Sequence, residues 1–173
     1  MSWTIEATQE GAVDPAAVFA LYADPSTWHQ WGHNATWARA DGPLVEGGMV
    51  DVRAGYGTVY HCRIRRLEPD RALELIVKPA GLIIVNIYDV EPTAMGSRVR
   101  HAFEVSGPLA VVTKPFLARM YRRQLEAEVA AVIAQASASG SSAPLPRPDP
   151  TVSLPERLWH GAGKAARGGR EDQ

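Results

Sequence analysis

Val13 to Trp31 reads V-D-P-A-A-V-F-A-L-Y-A-D-P-S-T-W-H-Q-W, and the pair Asp-Pro stands in it twice, as Asp14-Pro15 and Asp24-Pro25. An Asp at the N-cap accepts bonds from orphan amides of the first turn, and a Pro just after it fills a position where no amide partner is needed. Both pairs therefore open a short helix. Because Asp24 precedes a proline it is pushed out of the α region, so the second start also stops the first helix. The stretch predicts a helix, a corner and a second helix.

Outward from this unit the period changes. Trp3 to Thr8 alternates apolar Trp3, Ile5 and Ala7 with polar Thr4, Glu6 and Thr8, the pattern of a half-buried strand. After the helical pair, strands are predicted at Thr36 to Ala40, Met49 to Ala54, Thr58 to Leu67, Ala72 to Lys78, Leu82 to Val90 and Arg98 to Val105. Short spacers rich in Gly, Pro and Asp separate them and suit hairpins, so the sheet should be an antiparallel meander. Ser106-Gly107-Pro108 breaks the pattern, and from about Leu109 to Ala136 the period becomes helical. On a wheel of about 100° per residue, Leu117, Tyr121, Leu125, Val129, Val132 and Ile133 share one sector, with Arg119, Arg123 and Glu126 opposite. Pro115 suggests that the regular helix begins near that residue.

Composition sets the outer bounds. The chain has 173 residues, 46% of them hydrophobic and 21% charged, enough for one soluble domain with a real core. The boundary is placed at Ala136, giving a domain over 1–136, because 137–173 is a Ser, Gly and Pro-rich tail with little to bury. A net charge of -1 argues against nucleic acid or an anionic membrane as the default partner. The single Cys62, the absence of a signal-like N-terminus and the lack of a long apolar run favour the cytoplasm and no membrane span. Arginine outnumbers lysine and alanine is abundant, which points to a GC-rich bacterial source.

One strand, two short helices, six antiparallel strands and a long C-terminal helix is the order of an α+β helix-grip fold. In that order, and in V-D-P-A-A-V-F-A-L-Y-A-D-P-S-T-W-H-Q-W, G-P-L-V-E-G-G, R-R-L-E-P-D-R-A-L-E-L and Y-D-V-E-P-T-A-M-G-S-R-V-R-H-A-F-E-V-S-G-P-L, the chain resembles the START-related or SRPBCC superfamily. That superfamily includes lipid-transfer domains and polyketide cyclases or dehydrases. The resemblance implies a seven-stranded antiparallel sheet wrapped around the long helix, with a cavity between them for an apolar ligand. It implies neither a metal nor a cofactor.

Strand parity then selects the cavity wall. Tyr60 and Cys62 oppose the polar set His61, Arg63 and Arg65 and should face inward, as should Leu75 and Val77, Asn86 and Tyr88, and His101 and Phe103. Phe116 and Met120 are assigned to the wall from the helix. This parity leaves Ile83, Val85 and Ile87 on the outer face, as a tail or dimer contact or as scattered exposure, so the protein is expected to be a monomer or homodimer. The helical pair should plug one end of the cavity with Phe19, Trp28 and Trp31.

Three functions follow. The first is binding of a lipid-like or polycyclic apolar molecule, with Tyr60, Asn86, Tyr88 and His101 as sparse polar groups that orient it. The second is a cyclase or dehydratase using His101 as general acid or base, although no carboxylate is expected inside to orient that histidine. The third is a protein-interaction module whose cavity is filled by side chains. His29 and His33 flank Trp31 at a spacing two metal ligands could share, but Gly32 interrupts the helix and no third ligand lies nearby. G-x-S-x-G, G-x-x-x-x-G-K-[ST], G-x-G-x-x-G and H-E-x-x-H are all absent, which removes hydrolase, nucleotide and zinc-protease readings.

Overall fold

The computed structural model describes residues 2–32 and 34–140. Its elements are β1 (Ser2–Gly11), α1 (Pro15–Ala23), a 3-10 turn (Pro25–Thr27), α2 (Trp28–Trp31), β2 (Ala35–Ala40), β3 (Met49–Ala54), β4 (Val59–Glu68), β5 (Ala72–Val77), β6 (Ile83–Thr93), β7 (Gly96–Ser106) and α3 (Ala110–Gly140). Both Asp-Pro starts are capped as the sequence predicts. Asp14 Oδ1 accepts from the Ala16 amide at 3.0 Å and Asp24 Oδ1 from the Ser26 amide at 2.9 Å. The second start opens the 3-10 turn, which then leads into the single turn of α2.

All seven strands form one antiparallel sheet in the order β1-β7-β6-β5-β4-β3-β2. Only β1 breaks the meander. It crosses to the far edge beside β7, where the Trp3 indole N–H donates to the Ala110 carbonyl at 2.7 Å and ties the edge to the start of α3. The turn expected over Glu91 to Gly96 shrinks, because β6 and β7 stay paired until Thr93 meets Gly96. Gly96 has a φ of +136°, and a Cβ there would collide with the Gly11 carbonyl. Only glycine lets the chain fold so closely against the end of β1.

The inner face carries the parity predicted for β4 to β7: Cys62, Ile64, Leu73, Leu75, Val99, Phe103 and Val105 are buried beneath α3, along with Leu125, Val129 and Val132 of the helix. On the outer face Val85 is buried, Ile87 half-buried and Ile83 exposed. Arginine ladders run along that face, where Arg100 bridges Glu6 and Asp89 and Arg98 bridges Glu10 and Glu91.

Helix α3 departs from expectation at both ends. It begins at Ala110, so Pro115 lies inside it. A proline at that point removes only one early amide bond, which the first turns tolerate better than the middle of a helix. The helix also runs past Ala136 to Gly140, with Ser137 and Ser139 hydroxyls bonded back to the carbonyls of Ile133 and Gln135. The predicted tail beyond residue 140 and His33 lie outside the described residues.

Candidate functional site

Between the inner sheet face and α3 lies a cavity of about 140 Å³. Trp28 and Trp31 of α2 are in its lining. Phe19 is buried in the core but is not part of the lining. The strands contribute Val52 and Ala54, Tyr60 and Cys62, Leu75 and Val77, Ile84, Asn86 and Tyr88, and Phe103. Seven of the ten residues expected at the wall are thus on it: Tyr60, Cys62, Leu75, Val77, Asn86, Tyr88 and Phe103.

The other three are elsewhere. Phe116 and Met120 point to solvent, at 72% and 42% exposure. At about 100° per residue Phe116 is about half a turn from buried Leu125, so its hydrophobicity sits on the wrong side of the helix to reach the sheet. The helix instead lines the cavity with Tyr121, Gln124 and Glu128. His101 is inward and completely buried, but it stands behind the wall, with its ring 4.8 Å from that of Tyr88 and 5.8 Å from that of Trp31.

His101 belongs to a buried polar chain. The Tyr22 hydroxyl lies 2.7 Å from His101 Nε2, and His101 Nδ1 lies 3.6 Å from Glu128 Oε2. Burial, with the nearby Tyr88 and Glu128 as smaller causes, holds the Tyr22 phenol well above its ordinary pKa, so it remains a donor. In the tautomer in which the phenol donates to Nε2, the ring proton sits on Nδ1, on the side of Glu128. The Gln124 side-chain amide donates to Glu128 Oε1 at 2.9 Å and accepts at its own oxygen from Asn34 Nδ2 at 3.5 Å. The expectation that no carboxylate lies inside is therefore corrected. Glu128 is 3% exposed, borders the cavity, and is held through Oε1 by the Gln124 amide, with His101 Nδ1 3.6 Å from its other oxygen.

Glu128 had a sequence signal. It falls between Leu117 and Tyr121 on the wheel, inside the apolar sector, where a carboxyl group needs a polar partner. Tyr22 had none, because its partner is 79 residues away. Asp51 of β3 pairs with exposed His61 Nδ1 at 2.6 Å, on the outer side of the sheet. At the cavity mouth, exposed Tyr56 bonds the Tyr60 hydroxyl. Cys62, on the floor, has its thiol pushed up to about 12 by burial and then by Asp51, so it is a neutral apolar surface there. Among the described residues no cluster of His, Cys, Asp and Glu could hold a metal ion, and no helix is long and apolar enough to cross a membrane.

The architecture is that of known proteins. A START superfamily protein from Mycobacterium smegmatis superposes with a TM-score of 0.64 at 12% identity, over 79% of this chain and 98% of that one. The di-domain ARO/CYC protein StfQ of the steffimycin biosynthetic pathway gives 0.65 at 12% identity, over 82% of this chain and 52% of that one. A norcoclaurine synthase from Thalictrum gives 0.58 at 14% identity, over 78% of this chain and 96% of that one. At such identities the likeness is one of fold. No curated protein matches the chain at the sequence level. A family model described as polyketide cyclase / dehydrase and lipid transport matches residues 2–136, the whole of the sheet and most of α3. With its helix-grip fold, the chain belongs to that polyketide cyclase / dehydrase and lipid transport family.

Proposed function

We propose that the protein binds an apolar small molecule carrying one ring or a short chain in the cavity between the sheet and α3. The observation that carries this reading is the lining, in which apolar and aromatic side chains surround a few polar groups, among them Asn34, Tyr60, Asn86, Gln124 and Glu128. Apolar walls supply affinity and sparse polar groups fix orientation. The volume sets the size. A cavity of about 140 Å³ compares with an engineered one of about 150 Å³ that binds benzene, and is below the roughly 300–1,000 Å³ of typical ligand pockets. A polycyclic ligand would reach out past Tyr56 at the mouth. Cytoplasmic residence agrees with a free, buried Cys62.

The test uses intrinsic fluorescence, since Trp28 and Trp31 both face the cavity. Phenol and then naphthol are titrated into the full chain and into Leu75→Trp, which puts an indole into the space. Saturable quenching in the parent protein, lost in the variant, supports the reading. No saturation with either probe, or undiminished binding by the variant, overturns it.

Glu128 favours a second reading, an enzyme of the cyclase or dehydratase kind. There the reacting acid or base is Glu128, which borders the ligand space and is held by Gln124, with His101 3.6 Å behind it. Turnover of an aromatic polyketide that survives Glu128→Gln unchanged would remove this reading and leave binding intact.

A further inference from the structure

Among the described residues that line the cavity there is one acid, Glu128, and no Lys, Arg or His. Seven of the nineteen lining residues carry aromatic rings. The surroundings of Glu128 favour its charged form. The Gln124 amide donates to Oε1 at 2.9 Å and itself accepts from Asn34 Nδ2, so both amides turn an N–H in the direction of the acid. In the tautomer with Nε2 as acceptor His101 is neutral, and its Nδ1 stands 3.6 Å from Oε2 with no charge to cancel that of the carboxylate. Burial, and after it the Glu128 charge, holds the Tyr88 phenol well above its ordinary range, so Tyr88 meets the space as a neutral ring.

We infer that the ligand of this cavity is an organic ammonium, a compact cation joined to one ring or a short chain. The inference deepens the binding reading and rests on it. A ligand that fills the space strips water from Glu128, which is only 3% exposed, and a buried charge without a counter-charge is costly. A wholly apolar ligand leaves that cost uncompensated, and an anionic one adds like charge to it. An ammonium offsets it through a charge-assisted hydrogen bond, and the Trp and Tyr rings of the wall add cation–π attraction. The rest of such a molecule also has a place. Leu75, Val77 and Ile84 line the cavity from the sheet, across from the helix that carries Glu128. A volume of about 140 Å³ suits one ring with its charged head.

Calorimetric titration of the full chain at neutral pH with benzylamine, benzyl alcohol and benzoate tests this, because the three share a ring and differ in the charge of the head. Benzylamine should bind about tenfold or more tighter than benzyl alcohol, benzoate should bind weakest, and benzylamine should displace naphthol from the cavity. In Glu128→Gln, which keeps the shape and removes the charge, the preference for the amine over the alcohol should fall to about one. Should that variant fail to fold, the order of the three probes on the parent protein decides alone. Benzyl alcohol that saturates as tightly as benzylamine overturns the inference and leaves the binding reading standing. A preference for the amine that survives Glu128→Gln, or benzylamine that binds without displacing naphthol, also overturns it, by putting the cation at another site. No saturation with any of the three probes removes this inference and the binding reading together.

Discussion

Tyr22→Phe isolates the buried polar chain behind the cavity. The substitution removes one hydroxyl and keeps the ring, so the contacts of Tyr22 with Trp31 and Tyr88, at centroid separations of 5.4 Å each, are retained and no large void forms. What is lost is the 2.7 Å bond to His101 Nε2. Tyr22 and His101 are both fully buried, so water cannot replace the hydroxyl, and a buried polar atom left without a partner in such a place costs about 1–3 kcal/mol. For a chain of this size that corresponds to a fall of about 4–8 °C in Tm for a mid-range loss of about 2 kcal/mol. The measurement is urea unfolding of the parent, Tyr22→Phe, His101→Leu and the double variant. If the hydroxyl acts through His101, the two losses will not add, and the double variant will be more stable than their sum predicts. Additive losses, or a cost below about 0.5 kcal/mol for Tyr22→Phe, would refute the assignment of this bond as the anchor of His101.

Three further outcomes follow from the same geometry. Burial raises the phenols of Tyr22, Tyr88 and Tyr121 above their ordinary value, so the folded state holds protons that the unfolded chain releases. The stability from these groups is complete below about pH 10 and is lost as pH rises beyond it, so the phenolate absorbance of these three residues should appear together with unfolding and not before it. Cys62, with its thiol raised to about 12, should resist a thiol reagent at neutral pH until denaturant is added; rapid labelling of the native protein would contradict its burial. Gly96→Ala puts a Cβ against the Gly11 carbonyl at a φ of +136°, and should cost more than the roughly 1 kcal/mol of an average substitution in thermal unfolding. A smaller loss would mean that the β1 end moves aside easily.

What the sequence by itself determined was the set of elements and most of one wall. Asp14, Asp24 and their prolines act on amides two residues away, and strand parity repeats every second residue, so both are local properties that survive without a tertiary context. Tyr60, Cys62, Leu75, Val77, Asn86, Tyr88 and Phe103 followed from that parity alone. Hydrophobicity misled at Phe116 and Met120, because an apolar side chain marks the core only when its angle on the helix agrees, and theirs does not. The tertiary structure decided how deep each inward residue lies and which distant groups meet. His101 shares its parity with Phe103, yet Phe103 reaches the cavity while His101 is covered by Tyr22, Tyr88 and Trp31. The meeting of Tyr22, His101 and Glu128 joins three elements through side-chain geometry, and no period in the sequence encodes it.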